Sequence, residues 1–229
     1  LPITETASFT RNPVGVTVQT NPPGRSFLYD GTTYLVKQTF TEQPGTSHTI
    51  RIATTTQPGA TGVQYVWNNW SDGGAATHTI FPLTDTTYTA NFTTQFYLTM
   101  SAGTGGTVLP SAAWQDSGIG IMIRAVPSTG YIFKGWTGSG AGSYTGALDS
   151  TTITIRGPIT QTGSFALDTM IITATAGLHG TITPQGSVKV VYGSDQSFTI
   201  TPDTIYNISD VVVDGISVGP VASYTFTNV

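Results

Sequence analysis

Apolar and polar residues alternate along this chain with the period of a strand. Val14-Gly15-Val16-Thr17-Val18 opens the pattern, and Phe96-Tyr97-Leu98-Thr99-Met100 and Met170-Ile171-Ile172-Thr173-Ala174 repeat it. Successive side chains of a strand point to opposite faces, so such runs predict half-buried strands. Others are predicted at Phe40-Thr41, His48–Ala53, His78–Phe81, Ile119–Ala125, Thr151–Ile155, Ser187–Tyr192, Gln196–Thr201 and Tyr224–Thr227. Phe27-Leu28-Tyr29 and Thr32–Val36 flank Asp30-Gly31, a dipeptide that favours a two-residue hairpin. Turns are expected at Pro44-Gly45, Pro58-Gly59, Asp72-Gly73-Gly74 and Asp214-Gly215. No window shows a helical stripe, so the expected class is all-β.

The pattern is also repeated at longer range. Tyr65-Val66-Trp67-Asn68-Asn69-Trp70-Ser71 returns as Tyr131-Ile132-Phe133-Lys134-Gly135-Trp136-Thr137, and with aliphatics as Tyr206-Asn207-Ile208-Ser209-Asp210-Val211. Gly105-Gly106-Thr107-Val108 returns as His179-Gly180-Thr181-Ile182. These landmarks divide the chain into three tandem β modules, 14–93, 96–167 and 170–229, expected as small Ig-like β-sandwiches. Each is near the lower size for independent stability, so contacts between modules matter.

The chain ends share a further relation. The first two modules finish with a strand, Thr86–Phe92 and Pro158–Phe165, whereas the third stops at Tyr224–Val229 without one. Pro2–Phe9 matches Pro158–Phe165 at six of eight positions. Residues 1–9 are therefore expected to complete a third module. They would do so in a neighbouring subunit, in the preceding period of a longer tandem chain, in a module outside this segment that precedes it, or by folding back onto this chain's own third module. In the first arrangement Ile3, Thr4, Thr6 and Phe9 form the assembly strand, and Tyr224, Phe226 and Val229 form the acceptor edge. Phe9, the counterpart of Phe92 and Phe165, is expected to enter the core, with Ile3 read as out of phase with it. Strand addition satisfies main-chain groups and fills side-chain pockets, and a head-to-tail contact of this kind propagates filaments.

The second and third modules resemble the divergent internalin-type B-repeat, a surface-protein module. The likeness rests on residues 105–108 and 179–182, the prolines at 110 and 184, Gly130–Trp136, Ile208–Gly215 and Tyr224–Asn228. The first module resembles small surface repeats of PEGA type through Thr20-Asn21-Pro22-Pro23-Gly24 and Tyr29-Asp30-Gly31. The resemblance implies a secreted or cell-surface protein in which such repeats serve as stalks, spacers or adhesive elements, with no catalytic residues to carry over. Val211 stands where the other modules have Trp70 and Trp136.

Composition narrows the function classes. Charged residues are only 9% of the chain, and threonine fills 44 of 229 positions. Threonine, valine, isoleucine and aromatics suit pleated surfaces. Eight basic residues spread over three modules make no phosphate-tracking patch, so no nucleic-acid partner is expected. No apolar run is long enough to span a bilayer, so no membrane insertion is expected. Cysteine is absent, which excludes a disulfide framework and thiol catalysis. The chain opens at Leu1 in mid-pattern, and so reads as a mature product or a segment of something longer.

Few residues carry candidate chemistry. His48, His78 and His179 are scattered without the short spacing of a zinc site, so neither metal nor other cofactor is expected. Asp30, Asp72 and Asp214 sit in Asp-Gly turns, where a carboxylate bonds nearby backbone. No nucleophile elbow or phosphate loop occurs, and no enzyme is expected. Trp70 and Trp136 occupy the position of Val211, and Trp67 matches Phe133 and Ile208, so all three are read as core. Trp114, matched to Val188 or Val190, has no ring at its counterparts and is the candidate sugar platform. Asn69, Asn91 and Asn207 stand in Asn-x-Ser/Thr acceptor patterns. The expected function is an extracellular or cell-surface structural subunit that polymerises with itself into a fibre, pilus or stalk. The alternative is an adhesive or carbohydrate-binding segment of a larger secreted protein, with glycans as partners.

Overall fold

The computed structural model of the chain describes residues 6–7 and 10–229. These form 22 strands and, among the described residues, no helix. The N-terminal region contributes β1 (Val14–Asn21), β2 (Phe27–Tyr29), β3 (Thr32–Tyr34), β4 (Gln38–Glu42), β5 (His48–Arg51), β6 (Thr56–Pro58), β7 (Val63–Trp70) and β8 (Thr77–Ile80). The spine is β9 (Thr86–Ala102), a strand of 17 residues. The middle region adds β10 (Gly106–Leu109), β11 (Ala113–Asp116), β12 (Gly120–Pro127), β13 (Tyr131–Ser139), β14 (Ser150–Thr154) and β15 (Ile159–Leu167). The C-terminal region holds β16 (Thr169–Ala174), β17 (Gly180–Thr183), β18 (Gly186–Val191), β19 (Gln196–Pro202), β20 (Val211–Val213), β21 (Ile216–Gly219) and β22 (Ser223–Phe226).

The alternation in sequence becomes burial. Along β1, Val14, Val16 and Val18 are buried while the residues between them are half-exposed. They meet Phe27, Tyr29, Ile50 and Ile80 from the sheet β3-β2-β5-β8, and Trp70, Tyr88, Ala90 and Phe92 from β7 and β9. Two sheets thus enclose the first core. A second core gathers Leu98, Ile123, Ala125, Trp136, Ile153, Ile155 and Ile159 between the sheet β10-β12-β14 and the far half of β9 with β13 and β15.

No turn separates the first two predicted modules, because β9 serves both. At about 3.3 Å per residue it is roughly 55 Å long. One edge pairs with β1 (partners of residues 86–91) and then with β11 (95–98). The other pairs with β7 (90–96) and then with β15 (98–102). The result is one eight-stranded sheet across both regions. In each region the closing strand lies parallel to the opening one: β9 beside β1, and β15 beside β9.

The step into the C-terminal region is nearly as direct, with Asp168 alone between β15 and β16. The Asp168 N–H donates to Gly130 O at 2.8 Å, and its carbonyl accepts from Tyr192 N–H at 2.9 Å. Beyond it lie three small sheets, β16-β18, β17-β19-β22 and β20-β21.

Some predicted elements differ. The hairpin strand expected to run to Val36 ends at Tyr34, because β2 offers partners only for residues 32–34; Leu35 and Val36 are exposed. The turn expected at Pro58-Gly59 starts later, since Pro58 still pairs with Gln64. The short strands β6, β11 and β21 have too few residues to show a period.

Candidate functional site

The C-terminal region exposes what the middle region buries. In the middle region β15 sends Ile159, Gln161, Gly163 and Phe165 to one side. Ile159 is 2% exposed and Gln161 0%. The Gln161 amide donates to Tyr144 O at 2.9 Å, and its carbonyl accepts from Tyr144 N–H at 2.9 Å. A buried amide needs such partners. In the C-terminal region β16 pairs with β18 along one edge, as β9 does with β11. Its other edge, where β15 would lie, has no strand partner among the described residues.

A groove of about 990 Å³ opens there. Its walls include Ile172, Ile182, Phe198, Val211, Tyr224 and Phe226. Leu98 is fully buried, yet Ile172, its counterpart by strand pairing, is only half-buried. Among the described residues of this region, Ala174, Val190 and Phe198 are the only buried apolar side chains. His179 stacks on Tyr206 at the rim, with ring centroids 4.0 Å apart.

The predicted assembly residues fall unevenly on this picture. Ile3, Thr4 and Phe9 lie outside the described residues, and Thr6 is exposed and in no strand. Tyr224 and Phe226 lie on β22, whose main-chain partners are on β19. They give side chains to the groove, while the edge without main-chain partners belongs to β16. The Val229 N–H donates to Ser194 O at 3.1 Å, and its carbonyl accepts from Gly193 N–H at 2.7 Å. The phase assigned to Ile3 is corrected by β15: Ile159 and Phe165 are six residues apart and lie on the same side. Their aligned residues Ile3 and Phe9 have that same even spacing.

A second feature sits where the first two regions meet. Trp114 is 38% exposed, unlike Trp70 (1%) and Trp136 (2%). It stands edge-on to Tyr97, its partner across β11 and β9, with ring centroids 5.2 Å apart and planes at 68°. A pocket of about 450 Å³ lies against this corner, bounded by Gly62 and Pro158. The Tyr97 N–H donates to Gly62 O at 2.9 Å. At φ +74° Gly62 takes a conformation that favours glycine, and a Cβ there would crowd Pro158. By strand pairing the counterpart of Trp114 is Lys189, opposite Ile171, and not the sequence-matched Val188 or Val190.

Sequence reading missed the polar pairs of the N-terminal region. Asp30 accepts from His48 Nδ1 at 2.8 Å and from Thr49 N–H at 2.7 Å, rather than serving only its own turn. Asp72 accepts from Gly74 N–H at 3.1 Å, as the turn predicts, and also meets His78 Nε2 at 2.9 Å. Burial alone would raise both carboxyls, but the histidine bond, the backbone bond and the histidine charge outweigh it and hold them below the usual aspartate value. Tyr29 is pushed up by burial and by Glu42, to which its hydroxyl donates at 3.2 Å. Among the described residues no group of three or more histidine or acidic side chains is arranged to hold a metal. Asn69 and Asn207 are exposed; Asn91 is half-buried and its amide donates to Asn69 at 2.9 Å.

No helix among the described residues is long and apolar enough to cross a membrane. No curated protein and no solved structure matches the chain. The family match lies in the middle region, enters the C-terminal region only at Thr169, and does not show the PEGA-type likeness of the N-terminal one. Such repeats are typically surface-exposed and not known as enzymes, which suggests an extracellular structural or adhesive role. Residues 96–169, from the far half of β9 through the first residue of β16, are similar to the divergent InlB B-repeat domain.

Proposed function

We propose that the protein is a non-enzymatic extracellular structural subunit of three tandem β-sandwich modules that assembles head to tail. Residues 2–9 of one copy lie parallel to β16 of the next and close its C-terminal region. The observation that carries this reading is the unpaired edge of β16, at the place β15 occupies in the middle region. The occupant is argued from sequence, since residues 2–9 carry six of the eight residues of 158–165. Transferring the β15 register puts Ile3 beside Ile172, and Ile3, Glu5, Ala7 and Phe9 toward the groove. The joint between subunits then repeats the internal ones, a closing strand running on into the next opening strand. Each such strand satisfies a sheet edge and covers apolar side chains at once.

The test compares the full chain with one lacking residues 1–9, by sedimentation and electron microscopy, before and after boiling in denaturant. Filaments that fall to 24 kDa subunits and vanish with the deletion are the expected result. Filaments that persist without residues 1–9, a full-length chain that stays monomeric, or a covalent ladder would each overturn the reading.

A further inference from the structure

We infer that the Tyr97–Trp114 corner is a binding site for a neutral saccharide. This goes beyond assembly and does not depend on it, because the site lies far along the sequence from both chain ends. The first argument is the position of the rings. Tyr97 and Trp114 face outward on the shared sheet, so they are not part of either core. An exposed tryptophan at 68° to a half-buried tyrosine offers a floor and a wall to a ring-shaped ligand with an apolar face.

The second argument is what lies beside them. Thr99, Thr160 and Ser139 are in register across β9, β15 and β13, all exposed, and line the same pocket. Among the described residues none of their hydroxyls has a protein partner, whereas on the next rung Ser101 and Thr162 bond each other at 2.7 Å. Three free hydroxyls beside two rings match a pyranose, which presents C–H groups on one face and hydroxyls around its edge. No charged side chain lines the pocket. That favours a neutral sugar over a uronic or sialic acid. The volume of about 450 Å³ lies within the ordinary range for small-ligand sites.

The third argument is that the repeat itself does not require these rings. The equivalent outward pair in the C-terminal region is Ile171 opposite Lys189. The aromatic corner belongs to one place, where the β6–β7 turn of the N-terminal region leans on Pro158 and walls the pocket.

The full chain is titrated with soluble neutral gluco- and manno-oligosaccharides and with an acidic oligouronate, following tryptophan fluorescence and heat. We expect a shift with at least one neutral oligosaccharide and dissociation constants of about a millimolar. Trp114→Ala should weaken binding at least about tenfold, while Trp114→Phe keeps most of it. Circular dichroism of each variant separates lost binding from lost fold. The inference fails if no neutral saccharide binds, if Trp114→Ala binds as well as the parent, or if only the acidic sugar binds.

Discussion

In the middle region β15 lies against β9 and carries Ile159, Gln161 and Phe165 into the second core. In the C-terminal region nothing among the described residues takes that place beside β16. The surrounding strands pair alike: β9 with β11 corresponds to β16 with β18, and β12 with β14 to β19 with β22. Phe198 is as buried as its counterpart Ile123, but Phe226 is only half-buried where Ile153 is 2% exposed. The packed core and the open groove therefore differ by β15 and by β13, in whose place the C-terminal region has only the short β20, paired with β21. The difference is local to the side that β15 covers, where the described residues place no strand beside β16.

The comparison breaks most readily at the aromatic anchor. Trp136 is 2% exposed, and Val211 stands half-buried at the aligned position. Trp136→Ala should cost about 3–5 kcal/mol in the middle region. Val211→Ala should cost under about 1.5 kcal/mol in the unassembled chain, because a half-buried valine removes less area from water. Region-resolved hydrogen exchange reads both. Equal losses would mean that the two regions are equally packed.

An effect of similar size is expected at Gln161. Replacing it with leucine keeps the volume but leaves the Tyr144 N–H and carbonyl without their bonds. Each orphaned group costs about 1–3 kcal/mol. The loss should appear as faster exchange across residues 138–146. If Gln161→Leu is neutral, the amide is incidental and the strand closes the region by shape alone.

The donor segment has Glu5 where β15 has Gln161. Carrying a carboxylate into an apolar groove costs more than carrying an amide. Glu5→Gln should therefore lower the critical concentration for assembly at neutral pH by about tenfold. An unchanged or higher value would place Glu5 outside the groove and shift the proposed register.

Much of this architecture was legible because strand period and repeat spacing are local properties. The all-β class and β1 follow from alternation, the hairpin from the Asp30-Gly31 dipeptide, and the buried Trp70 and Trp136 from the repeated landmarks. The continuity of β9 was not legible: Thr93-Thr94-Gln95 has the composition of a linker, and only pairing with β7 and β11 makes it strand. The site was legible in part. Trp114 stood out as a ring without counterparts, but Tyr97 was absorbed into a strand pattern. Its outward face emerges only when β11 is placed beside β9. The shift that makes Lys189 the partner position of Trp114 arises from one extra residue between β17 and β18, which matching at a fixed offset misses. His48 and Asp30 are 18 residues apart and meet only because β5 pairs beside β2.

The weakest expected effect asks whether charge contributes to the contrast between regions. All the histidine–carboxylate pairs among the described residues lie in the N-terminal region: His48 with Asp30 and Glu42, and His78 with Asp72. Asp30 and Asp72 titrate below the ordinary value in the folded chain. A depressed carboxyl stabilises the fold above its unfolded pKa of about 4, and that contribution is lost as pH falls through the folded value. Both groups are partly exposed and screened, so each should contribute less than about 1 kcal/mol. Acidification from pH ~5 to ~3 should thus loosen the N-terminal region slightly, and less so in an Asp30→Asn, Asp72→Asn double variant. Region-resolved exchange at both pH values measures this. An equal acid response in parent and variant would remove the pairs from the account. If the C-terminal region closes or opens further over the same range, charge would join the unpaired β16 edge in the account of its open groove.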